Sequence, residues 1–332
     1  MTRLLLRLLL SLCALALLMA IGAAWWVHQP LVLRAPVVDL SIELGTSPKG
    51  VAQAVADAGV EVNPTWLFWW FKISGNARQI RAGSYEINSG ETPRSLLAKL
   101  SRGEEALRAL VLVEGWNLRQ VRDALRREEF LKPDTQGLSN ADIMARLERP
   151  GQQPEGRFFP DTYTYAKGSS DLALLKRAMK AMDKRLAAAW ALRAPGLAID
   201  TPEQALVLAS IIEKETGRNS DRGLISAVFH NRLRQGMLLQ TDPTVIYGLG
   251  EQFDGNLRKR DLLADTPWNT YTRAGLPPTP IAMPGKAALL AAVQPADSKA
   301  LYFVAKGDGS SHFSANLEEH NRAVNRYIRG RN

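Results

Sequence analysis

From Leu8 to Val27 the chain runs for 20 residues without a charge, with Arg3 and Arg7 before the run and Trp25–Trp26 near its end. An α-helix rises about 1.5 Å per residue, so such a run matches a hydrocarbon core about 30 Å thick. Arginines on one flank and a tryptophan pair at the other follow the positive-inside and aromatic-belt preferences. Residues 1–7 are therefore expected as a cytoplasmic N-terminus and 8–27 as a single-pass transmembrane helix, which places the rest of the chain outside the cytoplasm. A cleaved leader ending near Gly22-Ala23-Ala24 is the alternative. The apolar part of a leader is usually about 7–15 residues, shorter than this run, which favours the anchor.

Export decides how the charge is read. With 42 Lys+Arg against 33 Asp+Glu the net charge is +9, a balance that ordinarily raises nucleic acid as a partner. Outside the cytoplasm the anionic partners are instead lipid headgroups and cell-wall polymer, so no nucleic-acid role is expected. Cys13 is the only cysteine. It excludes an intrachain disulfide and a thiolate metal site, and bulky Leu12 before it does not suit a lipidation signal. The four histidines show no paired ligand spacing, so no metal is expected. At 46% hydrophobic and 23% charged, the exported part reads as about two folded domains of α+β class.

Two similar phrases open the exported part, offset by 45 residues: Ile42-Glu43-Leu44-Gly45-Thr46-Ser47-Pro48-Lys49 and Ile87-Asn88-Ser89-Gly90-Glu91-Thr92-Pro93-Arg94. Each reads as a strand, a Gly turn, then a Ser/Thr N-cap with Pro at the first helical position. Between them Asn63 to Ile73 is expected as a buried helix carrying Trp66, Leu67, Trp69 and Trp70. Two βα units fit one small domain over residues 38–105. The phrase, with its Gly-x-Thr turn, resembles a LysM-type glycan-binding module, and a plain structural βα unit is the alternative. Exposed aromatics would favour sugar binding, whereas these tryptophans have core-like spacing.

A second domain is expected over 109–330. It opens with a strand at Leu110 to Val113, then helices near Leu118 to Phe130 and Ala141 to Leu147, and a structured loop around Phe158 to Tyr163. The amphipathic helix Asp171 to Trp190 follows. Thr201-Pro202-Glu203-Gln204 then has the form of a helix start, with an N-cap Thr and Pro at N1. The helix runs on through Ala205 to Thr216, and Gly217 is the expected C′ residue. At about 100° per residue, Ala205, Leu208, Ile211 and Ile212 share a face, and Glu215 projects from that same face. Burial there would raise the carboxyl pKa, the negative end of the helix dipole acts in the same direction, and a carboxyl that stays protonated suits general acid work. A solvated Glu213–Lys214–Glu215 cluster is the alternative that periodicity leaves open.

The run Ala209-Ser210-Ile211-Ile212-Glu213-Lys214-Glu215-Thr216 resembles the helix of the MltG/YceG family of endolytic murein transglycosylases. So does Leu239-Gln240-Thr241-Asp242-Pro243-Thr244-Val245-Ile246-Tyr247-Gly248. Asn269-Thr270-Tyr271, Gly275-Leu276-Pro277-Pro278, Pro284-Gly285, Leu301-Tyr302-Phe303-Val304 and His320-Asn321 extend the resemblance. Upstream, Ala82-Gly83-Ser84-Tyr85, Val113-Glu114-Gly115 and Phe159-Pro160-Asp161-Thr162 extend it over essentially everything after the anchor. The resemblance implies a lysozyme-like mixed α/β catalytic domain, whose acid in such enzymes is a Glu followed by Ser or Thr. Of the two glutamates only Glu215 has that neighbour, Thr216, with Glu213 kept as the alternative.

The implied substrate is the β-1,4 bond between N-acetylmuramic acid and N-acetylglucosamine in peptidoglycan, cut without a cofactor to leave 1,6-anhydro ends. The anchor implies action on nascent strands at the outer face of the cytoplasmic (inner) membrane, ending their elongation. Cell-wall synthases are implied as partners by the resemblance alone. Gln240, Thr241, Asp242, Tyr247, Asn269 and Tyr271 are the candidates for orienting the sugar, with a plain turn at Thr241-Asp242-Pro243 as the alternative. Asp242 is the candidate second carboxylate of a hydrolytic muramidase. A non-catalytic wall-binding scaffold is the rival from another class.

Overall fold

The computed structural model describes residues 2–331. The chain begins with α1 (Thr2–Trp26). Over Leu9–Trp26 its mean hydropathy is 2.1 and none of that stretch is buried, so the helix is long and apolar enough to cross a membrane. The chain after it divides into two compact units. One holds the residues up to 108 together with 164–168, and the other holds 109–163 with the residues from 169 onward. The short return of 164–168 to the first unit is not foreseen by a boundary placed between 105 and 109.

In the first unit β1 (Val37–Ile42), α2 (Pro48–Asp57), α3 (Pro64–Ile73), β2 (Gly83–Asn88) and α4 (Pro93–Arg102) follow in order. The strands pair antiparallel, with Val37 opposite Asn88 and Ile42 opposite Gly83. Val38, Leu40 and Ile42 point inward and the residues between them outward, the period-2 alternation of a half-buried strand. Both expected N-caps form: the Ser47 hydroxyl accepts from Gly50 N, and Thr92 makes a capping box with Ser95. The aromatic helix is at the expected place with a different face inward. Leu67 and Phe71 are fully buried, whereas Trp66 and Trp69 are exposed by 61% and 49%. The core of the unit is filled by aliphatic residues of the strands and of α2 and α4, which leaves no room for more than one side of α3.

The second unit contains α5 (Leu118–Arg127), α6 (Asn140–Arg146), α7 (Asp171–Ala191), α8 (Pro202–Glu215), α9 (Asn219–Arg234), α10 (Asp242–Leu249), α11 (Lys259–Leu263), α12 (Lys286–Val293) and α13 (Leu317–Tyr327). Among the described residues two more pairs of strands occur: β3 (Leu107–Val111) with β4 (Thr162–Ala166), and the hairpin β5 (Tyr302–Ala305) with β6 (Ser311–Ser314). Gly307 and Gly309 adopt positive φ in the hairpin loop, as a Gly-Asp-Gly turn favours.

The second unit is built around α8. Every residue from Ala205 to Ile212 is buried, and α7, α9, α10 and α12 pack round the helix. Such a helix is apolar on all sides, so the single apolar stripe read from periodicity understates its burial. Its N-terminus is capped as expected, with Thr201 accepting from Gln204 N at 3.2 Å. The C-terminus differs. Thr216 leaves the helix in extended conformation (φ −150, ψ 137), so the chain turns off without the left-handed Gly217 of a Schellman end.

Candidate active site

The central helix delivers its last residue, Glu215, to the wall of an open cavity of about 480 Å³, also lined by Arg232, Gln240, Asp242, Tyr271 and Tyr302. The Thr241 hydroxyl donates to Glu215 Oε1. The segment carrying that hydroxyl is fastened to the Asn269–Tyr271 turn. Gln240 N donates to Thr270 O at 3.0 Å, and Thr241 N to the Thr270 hydroxyl oxygen at 3.1 Å. The Thr244 hydroxyl then donates to Thr241 O at 2.8 Å. Gln240 itself sits at φ +50, a left-handed conformation that few non-glycine residues adopt and that tends to persist where the surroundings fix it. The bend allows the chain to pass from Leu239 in the core to the start of α10 with Thr241 turned toward Glu215.

Burial raises the Glu215 pKa to about 7. The Thr241 hydrogen bond pulls it down, the Asp242 carboxylate pushes it up and the Arg232 guanidinium pulls it down. Desolvation thus outweighs a hydrogen bond that favours the charged form. A carboxyl with this value exists in both protonation states near neutral pH, as a group that must give and then take a proton requires.

Glu213, two residues earlier, has different surroundings. Its carboxylate meets Arg222 at 3.1 Å with both side chains almost fully buried, and its other oxygen accepts from Gly285 N at 2.8 Å. Glu114 packs beside it, and its carboxyl is raised by burial and by the Glu213 charge. This second glutamate is committed to tying α8 to α9 and to the start of α12.

The other expected site residues separate into two sets. Asp242 accepts from the Tyr271 hydroxyl at 2.5 Å, and both stand at the Glu215 cavity with Gln240. Asn269 and Tyr247 do not. Asn269 is fully buried, and its amide nitrogen donates to Leu262 O (3.0 Å) and Ala264 O (2.7 Å). Its side-chain oxygen accepts from Tyr271 N at 2.8 Å, so it shapes the turn that presents Tyr271. Tyr247 lies on the other side of α10, where its hydroxyl donates to the buried Glu155 carboxylate at 3.0 Å. That carboxylate also accepts from Leu118 N, and burial raises its pKa to about 7. Tyr247 and Glu155 line a separate, larger cavity of about 960 Å³.

Arg232 joins the site without belonging to any motif in the sequence. Its guanidinium donates to the carbonyls of Leu301 (2.7 Å) and Leu239 (2.9 Å) and lies over the Tyr302 ring at 5.1 Å. Tyr302 stacks in turn on His320 at 5.2 Å. The available signal was an arginine within the buried stretch of α9. Among the described residues no group of three or more His, Cys, Asp and Glu gathers as a metal site.

A half-buried glutamate near neutral pKa, on a central helix that ends in Glu-Thr, sits beside the Gln-Thr-Asp segment. The YceG-like family matches residues 40–326. The chain belongs to the YceG-like family. An endolytic murein transglycosylase of Bacillus subtilis is 31% identical over 317 residues, covering 89% of this chain and 86% of that protein. An endolytic murein transglycosylase of Streptococcus pneumoniae is 26% identical, and the match covers 88% of this chain and 58% of that protein. A crystal structure of a yceG-like protein from Listeria monocytogenes aligns with a TM-score of 0.54 and 30% identity, over 86% of this chain and 98% of that one.

Proposed function

We propose that this YceG-like chain is a membrane-anchored endolytic lytic transglycosylase that cuts the bond between N-acetylmuramic acid and N-acetylglucosamine in nascent peptidoglycan. The observation that carries the proposal is Glu215. It is a carboxyl with a pKa of about 7 facing an open cavity, and the murein transglycosylase relatives named above point to the same substrate class.

The protonated Glu215 gives its proton to the glycosidic oxygen as the bond from muramic C1 to that oxygen breaks, through an oxocarbenium-like state. The muramic C6 hydroxyl then attacks C1 and its proton passes to the Glu215 carboxylate. The product carries a 1,6-anhydro ring, no water is consumed, and the acid is restored. Gln240, Asp242 and Tyr271 at the cavity are the groups proposed to orient the acetamido sugar, and Arg232 and Tyr302 add a fixed charge and a flat face. The uncovered helix α1 supports a single-pass anchor in the cytoplasmic membrane, with the catalytic unit outside and, by the sequence resemblance, a LysM-like module between them.

The test is to incubate purified glycan strands with the detergent-solubilised full chain and identify product ends by mass spectrometry. The expected products carry 1,6-anhydromuramic ends, and Glu215→Gln is expected to lose about 10²–10⁴ in rate. Reducing muramic ends would assign a hydrolytic muramidase, for which exposed Asp242 at the same cavity is the second carboxylate. Unchanged glycan with retained binding would assign a scaffold.

A further inference from the structure

Helix α3 is apolar on both sides. Leu67 and Phe71 are fully buried in the first unit, while Trp66, Trp69 and Ile73 are exposed by 61%, 49% and 77%. The spacing i, i+3, i+7 places these three along one outer stripe. A helix facing water carries polar groups there. This one (PTWLFWWFKI) has a single charge, Lys72, and the Lys72 ammonium lies 4.9 Å over the Trp69 ring.

The stripe begins where the apolar helix α1 ends. Trp66 meets Trp26, the last residue of α1, edge-on with ring centroids 6.1 Å apart. The Trp70 indole N–H donates to Pro93 O at 3.1 Å. Trp25, Trp26, Val32 and Trp66 line one cavity of about 390 Å³, with Gln29, Glu61 and Asn63 on its polar side. Trp25 and Val32 are themselves exposed by 66% and 59%. The uncovered surface is therefore continuous from the end of α1 onto α3. Tryptophan is the residue that favours the headgroup layer, and lysine can lie along such a surface with its ammonium toward water. Large exposed apolar patches mark contact sites.

We propose that α3 is an interfacial membrane helix, its Trp66–Trp69–Ile73 stripe seated in the headgroup layer of the leaflet from which α1 emerges. The proposal rests on the reading of α1 as an anchor. It gives the first unit a second hold on the bilayer, so the unit is held close to the surface rather than swinging on the connector. Sugar rings also stack on tryptophan, which makes glycan the competing occupant. Lipid is favoured because the stripe joins, through the Trp26–Trp66 contact, a helix long and apolar enough to lie in lipid.

The test uses the full chain with Cys13→Ala, reconstituted in phosphatidylethanolamine/phosphatidylglycerol vesicles. Nitroxide labels are placed singly at Leu15→Cys, Ile73→Cys and Leu44→Cys, the last a residue 95% exposed in the turn after β1. Power-saturation electron paramagnetic resonance reads accessibility to oxygen, which concentrates in lipid, against a water-soluble nickel chelate. The Ile73 label is expected to show an oxygen-to-nickel ratio several-fold above that of Leu44, and Trp66→Ser with Trp69→Ser is expected to remove the difference. If Leu15 reports lipid while Ile73 matches Leu44, the interfacial helix is wrong and the anchor stands. Water-like values at Leu15 overturn both. A water-like Ile73 label that becomes immobilised when glycan strands are added assigns the stripe to sugar and overturns the lipid proposal.

Discussion

Thr241→Val removes the hydroxyl that donates to Glu215 and keeps the side-chain volume. That bond favours the charged carboxylate and holds the Glu215 pKa down, against burial, at about 7. A hydrogen bond to a charged group contributes about 1.5–3 kcal/mol, and about 1.4 kcal/mol corresponds to one pH unit, so its loss moves the pKa up by about 1–2 units. The proposed reaction begins with protonated Glu215, so its rate falls as pH rises through that pKa. In Thr241→Val the fall is expected about 1–2 units higher. Asp242→Asn removes a neighbouring negative charge and is expected to move the same limb to lower pH. The assay is the initial rate of anhydro-ended product formation between pH 5 and 9, with kcat/KM extracted at each point. A limb that stays in place in Thr241→Val, or one that moves the same way in both variants, would falsify the assignment of Glu215 as the titrating acid.

Glu215 has an ordinary pKa of 4.5 and a folded value of about 7, so the folded state binds its proton more tightly than the unfolded chain does. The resulting stability is complete below about 4.5 and is lost as pH climbs to about 7, up to about 3 kcal/mol. Glu215→Gln is therefore expected to resist urea better than the parent at pH 8, with the advantage gone at pH 4. Equal curves at both pH values would contradict the buried-carboxyl account. Glu213→Gln strands the buried Arg222 and is expected to cost about 3–5 kcal/mol. Adding Arg222→Met should restore part of that, and a thermal melt unchanged in the single variant rules the clamp out. Glu155→Ala leaves Leu118 N and the Tyr247 hydroxyl without their acceptor, an expected loss of about 1–3 kcal/mol. Glu155→Gln keeps an acceptor and should lose less, which the same melts would show.

The parts of this chain legible from sequence are those fixed by local chemistry. The Ser47, Thr92 and Thr201 caps and the Pro residues at helix starts each work through neighbours a few residues away. The uncharged run ahead of Trp25–Trp26 needs only its own length to be read. What lay hidden depends on partners far along the chain. Periodicity gave α8 one apolar face because Val207 and Ala209 are small enough to pass for the other side, and only α7, α9, α10 and α12 packing round it bury them too. The tryptophans of α3 have core-like spacing, yet the core fills first with Leu67 and Phe71. Asn269 and Tyr247 look like sugar ligands by residue type, but the groups that engage them, Leu262 O, Ala264 O and Glu155, cannot be foreseen from spacing.

Glu213 and Glu215 make the same point within a single turn of helix. Both are carboxylates near the end of a buried helix, so residue type does not separate their tasks. The surroundings do. Arg222 and Gly285 N engage both oxygens of Glu213. Glu215 is met by a neutral hydroxyl, with a carboxylate and a guanidinium nearby acting in opposite directions on its pKa. Burial then sets the balance, and the proton can be held or released near neutral pH. The extended Thr216, which ends the helix without a left-handed glycine, leaves Glu215 as the last helical residue. The sequence pair Glu-Thr thus has a physical reading: the glutamate is the acid proposed above, and the threonine is where the helix ends.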